Sequence, residues 1–144
     1  MGLDIKNSST IFDPLRKREV ALTPEEIVRQ KFIEFLNKKR NWPLSLMMSE
    51  KEISIGSGSN LVKFRCDIVA YNKELKPQLI VECKAPEVKI TEKTFEQIWR
   101  YAIILKVKWL IITNGRQTFV CEYITDEQGE GKYVFKSDIP YRDK

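Results

Sequence analysis

Two stretches, "FRCDIVAY" at residues 64–71 and "PQLIVECKAP" at residues 77–86, decide the fold. Each reads as a buried strand that carries an acid among apolar residues. Asp67 stands between Cys66 and the run Ile68, Val69, Ala70, and Glu82 between Val81 and Cys83. Side chains alternate along a strand, so Glu82 and Lys84 point to one side and Val81 and Cys83 to the other. Pro86 cannot continue a ladder, which puts the charged pair at the strand's C-terminal end. The turn-like "NKELKP" between the two stretches lets them pair as neighbours.

Working outward, "LTPEEIVRQKFIEFLNKKR" predicts a helix. Thr23 is its N-cap, Pro24 takes the first helical position, and acids fill the first turn. Val28, Phe32, Phe35 and Leu36 form the apolar stripe. "LSLMMSEKEISI" predicts a strand, and "GSGSN" after it is a turn that lacks the Gly-Lys-Ser/Thr ending of a phosphate-binding loop. "TEKTFEQIWRYAIILKV" predicts a second helix, with Phe95, Ile98, Trp99, Ala102 and Leu105 on one broad face. "KWLIITNG", "QTFVCEY" and "KYVFK" follow as strands. This order predicts an α/β sandwich, a mixed central β-sheet flanked by helices, with an α-β-β-β-α-β core plus C-terminal strands. It reads as a single domain over 1–144, with an N-terminal arm (1–22), a core (23–123) and a C-terminal extension (124–144).

Composition narrows the chemistry. The 144 residues contain no histidine, which excludes a Ser-His-Asp triad, a Cys-His dyad and a His-ligated zinc site. Three cysteines make neither a paired metal spacing nor a complete disulfide set, so they are expected to be reduced and buried. Apolar content of 42% and charged content of 31% are those of a globular chain. No apolar run spans a bilayer and no signal-peptide layout opens the sequence, so the expected location is cytoplasmic, with no membrane partner. The formal charge of +5 mildly favours a polyanionic partner.

Asp67, fourteen residues, then Glu82-x-Lys84 would bring two carboxylates together from adjacent strands. Such a pair makes a hard oxygen site suited to Mg²⁺. A lysine beside it can hold a phosphate oxygen or orient water. These groups suffice for metal-assisted phosphodiester hydrolysis.

At these residues the chain resembles the PD-(D/E)xK nucleases. More narrowly, "FDPLRKREVALTPEEIVRQ", "VECKAP", "EQIWRYA" and "IITNG" resemble the N-terminal nuclease domain of type I restriction enzyme R subunits, over roughly residues 12 to 123. The resemblance implies a restriction-endonuclease-like fold and a metal-dependent endonuclease acting on DNA. It assigns Asp67, Glu82 and the backbone carbonyl of Cys83 to Mg²⁺, with Mn²⁺ as a substitute, and Lys84 to the water or the phosphate. It places a helix glutamate, Glu25 or Glu26, at the metal. It also places Gln97 and Tyr101, four apart on the second helix, near the site, Gln97 with the catalytic groups and Tyr101 with the DNA. Other restriction-system subunits or a separate motor protein are the implied partners, because the chain has no Walker A sequence. Cys66 stands where many superfamily members have proline.

Plainer readings compete. Glu82 and Lys84 can be an ion pair at a solvated strand end, and Asp67 can cap a turn or pair with Arg65. Glu26 fits a capping box with Thr23, whereas helical spacing turns Glu25 inward. Gln97 fits a capping box with Thr94. Trp42, Trp99 and Trp109 read as core or rim. The basic run Arg16, Lys17, Arg18 reads as a solvated arm, with phosphate contact as its functional alternative. The rival to the nuclease is a non-cleaving nucleic-acid-binding or scaffold module on the same fold. A further rival is a Mg²⁺ enzyme acting on a small phosphorylated substrate.

Overall fold

The computed structural model describes residues 9–142, so the first eight and last two residues of the expected domain lie outside the described residues. Strands β1 (Thr10–Asp13) and β2 (Arg18–Ala21) precede helix α1 (Pro24–Arg40). Strands β3 (Met47–Ile55), β4 (Val62–Tyr71) and β5 (Pro77–Cys83) lead to helix α2 (Glu92–Leu105). Strands β6 (Trp109–Thr113), β7 (Thr118–Thr125) and β8 (Gly131–Lys136) close the chain. The last six strands form one sheet in sequence order. Only β5 and β6 are parallel, and α2 is the crossover that a parallel pair requires.

The two helices cover opposite faces. Val28, Phe32, Ile33 and Leu36 of α1 pack with Ile68, Ala70, Leu79, Val81 and Ile111. Ala102 of α2, with Phe95, Ile98 and Leu105, packs over Cys66, Val69, Ile80 and Leu110. Consecutive residues such as Ile80 and Val81 enter different cores, which is why β5 and β6 read as unbroken apolar runs.

The alternation slips at one level of β3 and β4. Cys66 and Ile68, two apart, pack into opposite cores, as do Met47 and Ile53. The pairs Lys51–Cys66 and Ser49–Ile68 flank the slip, and the ladder skips Glu50 and Asp67 between them. Glu50 takes a left-handed backbone, φ 53. Asp67 therefore sits where its strand changes face, not on a regular pleat.

Residues 1–22 do not form a solvated arm over their described part. Strands β1 and β2 pair as a hairpin, Ile11 opposite Val20, and both of these residues are buried. The C-terminal extension is likewise integral over residues 124–142: β8 extends the sheet, and beyond it Trp42 Nε1 donates to Pro140 O (3.0 Å) and Arg142 N to Arg40 O (2.9 Å). All three cysteines are free and buried. Among the described residues no helix is long and apolar enough to cross a membrane.

Candidate active site

Asp67 and Glu82 lie one step beyond the Ile68–Val81 pair of the β4–β5 ladder. The Asp67 carboxylate is held both from the sheet and from α1. Cys83 N–H donates to its Oδ2 (2.7 Å), and Arg29 Nη2, from α1, donates to its Oδ1 (2.8 Å). Glu82 sits beside the Asp67 charge, and Lys84 Nζ is 3.3 Å from its Oε2. Burial, reinforced by the Asp67 charge beside it and only partly offset by Lys84, pushes the Glu82 carboxyl up to about 8. Two carboxyls and one ammonium thus meet at the end of β5.

The loop that carries Lys84 is held by the "IITNG" segment. Lys84 N–H donates to Thr113 O (2.8 Å), extending the β5–β6 pairing by one residue. Asn114 is buried; its Nδ2 donates to Val88 O (3.0 Å), and its Oδ1 accepts from the backbone N–H of Arg116 and Gln117. Gly115 follows at φ +85, where a Cβ would come within 3.3 Å of Val28.

Sequence reasoning missed Arg29, which is nearly sealed from solvent at 3% side-chain exposure. Its Nη1 donates to Glu26 (2.5 Å), and its Nη2 faces Glu50 (2.6 Å), Asp67 (2.8 Å) and Glu25 (3.5 Å). Burial opposes its charge, but Asp67, Glu26 and Glu50 more than compensate and hold its pKa above the ordinary value. A signal existed: Arg29 lies four residues after Glu25 and beside Val28 on the apolar stripe. Glu50 was missed too, and nothing in its sequence neighbourhood marks a non-glycine left-handed residue.

The two first-helix acids differ in burial, and not in the sense that helical spacing suggests. Glu26 is the buried one, its side chain 7% exposed against 46% for Glu25. Arg16, Arg29 and Gln30 all donate to the Glu26 carboxylate and draw it inward. Its backbone N–H is capped by Thr23 Oγ1 (3.0 Å), but Thr23 N–H bonds to Ala21 O, so only half of the expected capping box forms. Burial and Asp67 raise the Glu25 pKa, with Arg29 and Lys84 opposing. Glu25 therefore feels the site although it does not bond to Glu82 or Lys84. Arg65, the alternative partner considered for Asp67, pairs with Glu50 instead (3.4 Å).

Cys83 contributes through its backbone, since burial holds its thiol protonated, well above the ordinary value. The helix α2 begins earlier than a Thr94 cap requires. Thr91 N–H donates to Thr94 Oγ1 (3.2 Å), which places Gln97 beyond the cap and exposed. Tyr101 stacks on Phe64, ring centroids 4.5 Å apart. Among the described residues no hydrogen bond joins Gln97 or Tyr101 to the carboxyls. In the basic run, Arg16 is an internal residue that bridges buried Asp13 and Glu26, because the hairpin folds it onto α1. Lys17 and Arg18 are exposed. A cleft of about 790 Å³ runs between the hairpin and α1, lined by Arg16, Arg18, Glu25, Arg29 and Glu50 among others. It reaches the groups around Asp67 but not Asp67, Glu82 or Lys84 themselves.

The donor set suits a hard divalent cation. Among the described residues no three acidic or cysteine side chains cluster as a cage. Mg²⁺ does not need one, since it keeps several waters and takes one or two carboxylates plus substrate phosphate. Burial and the neighbouring Asp67 charge favour the protonated form of Glu82, a condition that a bound cation would relieve.

A family profile described as the type I restriction enzyme R protein N terminus matches residues 24–140. The chain belongs to that family. The family match spans α1, the six-stranded sheet and the carboxyl pair, and leaves out the hairpin. No curated protein matches the chain. A solved fragment described as an HsdR subunit of a type I restriction enzyme from Vibrio vulnificus YJ016 shares the fold, with a TM-score of 0.56 and 22% identity over 83% of this chain. The chain spans about a quarter of that chain's length (24%).

Proposed function

We propose that this R-subunit N-terminal domain hydrolyses DNA phosphodiester bonds as a member of the PD-(D/E)xK nucleases, working with other restriction-system subunits or a separate motor protein. The observation that carries the reading is the meeting of Asp67, Glu82 and Lys84 at the end of β5, with Glu82 held up to about 8. Asp67 and Glu82 would hold Mg²⁺, or Mn²⁺ in its place, which when bound supplies charge neutralisation at the phosphate and a more acidic water. Lys84 donates to a phosphate oxygen and balances the charge that develops there. Cys83 N–H fixes the direction of Asp67, and Thr113 O fixes the Lys84 backbone. Lys17 and Arg18, at the hairpin, supply sequence-independent phosphate contact.

Supercoiled, linear and single-stranded DNA, and RNA, incubated with the chain in Mg²⁺, Mn²⁺ or EDTA test the reading. DNA strand breaks that need a divalent ion are expected. Absence of cleavage with every metal, alone and with partner subunits, would sink it. One observation favours the non-cleaving alternative: both Asp67 oxygens already have protein donors. That reading predicts DNA binding indifferent to EDTA and no strand breaks.

A further inference from the structure

Arg29 Nη2 carries two hydrogens and faces three carboxylates. Glu50 at 2.6 Å and Asp67 at 2.8 Å take them at close range, and Glu25 at 3.5 Å shares the same nitrogen through a long, weak contact. Glu25 is the most exposed of the three, whereas Asp67 is held in place by Cys83 N–H. The opposite end of the guanidinium is anchored: Nη1 bonds to Glu26, which also binds Arg16 and Gln30. Arg29 Nε is buried with no partner, so the group is not locked on every side. One cation thus sits on an Asp67 oxygen, with a third carboxylate at longer range on the same nitrogen.

We propose that Arg29 is an exchangeable internal cation for this site. In the metal-free protein its Nη2 neutralises Asp67 Oδ1. When a divalent ion engages Asp67, Nη2 turns its hydrogen from Asp67 to Glu25, while Nη1 stays on Glu26. Arg29 and Glu25 are then positioning residues that set metal affinity without touching the metal. This inference rests on the metal-site reading of Asp67 and Glu82, and goes beyond it in giving Glu25 the guanidinium as its partner.

Calorimetric titration with Mg²⁺ and Mn²⁺ of wild type, Glu25→Gln, Arg29→Gln and the double variant tests it, with melting curves to confirm folding. Removing the competing charge in Arg29→Gln should tighten metal binding by about tenfold. Glu25→Gln alone should weaken it by about two- to fivefold, the factor for a partly exposed ion pair. In the Arg29→Gln background, Glu25→Gln should change nothing, because the hydrogen it receives is gone. Weaker binding in Arg29→Gln would mean that the arginine only orients Asp67, and overturns the exchange. Equal weakening by Glu25→Gln in both backgrounds would make Glu25 a direct ligand, and also overturns it. If Arg29→Gln does not fold, arginine-labelled NMR of wild type decides: the Arg29 guanidinium resonances should move on saturation with Mg²⁺, and unmoved resonances defeat the proposal. Wild type that binds neither metal removes the metal-site reading and the exchange with it. Wild type that binds normally while its variants stay flat removes the exchange alone.

Discussion

Asp67 Oδ2 accepts a 2.7 Å hydrogen bond from the backbone N–H of Cys83, so the strand that carries Glu82 and leads into Lys84 also aims the carboxylate of its neighbour. The contact ties the acid to backbone, which a side-chain substitution at position 83 cannot remove. It places Asp67 relative to Glu82 through the β4–β5 register.

Asp67→Asn and Asp67→Ala should therefore separate. Asparagine keeps an acceptor for Cys83 N–H but turns its Nδ2 donor toward Arg29, and is expected to cost about 1 to 2 kcal/mol. Alanine leaves that N–H and the buried Arg29 charge without their partner, at a cost of about 3 kcal/mol. Both should lose metal binding. Denaturant melts and calorimetry on the three proteins check this, and equal stability of the two variants would refute the orienting contact.

Lys84→Ala should divide catalysis from stability. The ammonium is 31% exposed and its pairing with Glu82 is 3.3 Å long, so its loss should change stability by less than about 1 kcal/mol. Cleavage should fall by about a hundredfold or more, because the donor to the phosphate is gone, while metal binding persists. A variant that melts much earlier yet still cuts would return Lys84 to a structural role.

How far the sequence revealed this arrangement depended on the range of the forces involved. The strands β4 and β5 and both helices are visible in local patterning, since their apolar periodicity is set within each segment. Strands β1 and β2 have four residues each, too few for alternation to show, and the polar run between them is held by Arg16 reaching Glu26 ten residues on. Asp67 and Glu82 stand out as acids within apolar strands. Arg29 is less visible because a single basic residue in a helix ordinarily extends to solvent. The turn of Glu26 inward depends on three donors, only two of them on the same helix.

The raised Glu82 pKa gives the metal-free protein a defined pH dependence. Between about 4.5, the ordinary value, and about 8, the folded state holds a proton that the unfolded state has released. Stability contributed by this group is therefore full below the ordinary value and is lost as pH rises toward the folded one. Binding of Mg²⁺ at pH 7 should expel about one proton from Glu82. Titrations in buffers of different ionisation enthalpy measure it. Metal binding without proton release, or melting that is flat across this window, would show that Glu82 is already ionised in the folded protein.

The three basic residues of the hairpin should behave as two classes. Arg16 bridges two buried carboxylates, Asp13 and Glu26, and further hydrogen bonds reach Asp13 from Leu15 N–H and Ser49 Oγ. Burial alone would raise the Asp13 pKa, but Arg16, Leu15 and Ser49 together bring it below the ordinary carboxylate value. Arg16→Ala strips the charge partner from both acids and should cost about 3 kcal/mol. The accompanying loss in DNA affinity should follow only from the fraction unfolded. Lys17 and Arg18 are exposed, so Lys17→Gln with Arg18→Gln should leave melting within about 0.5 kcal/mol of wild type. That pair should instead weaken binding equally across sequences and reduce the salt slope by about two, one for each phosphate contact removed. Melting curves and binding isotherms at several salt concentrations read both effects. If Arg16→Ala melts normally and flattens the salt slope, the arginine reaches DNA and its bridge to Glu26 carries no stability.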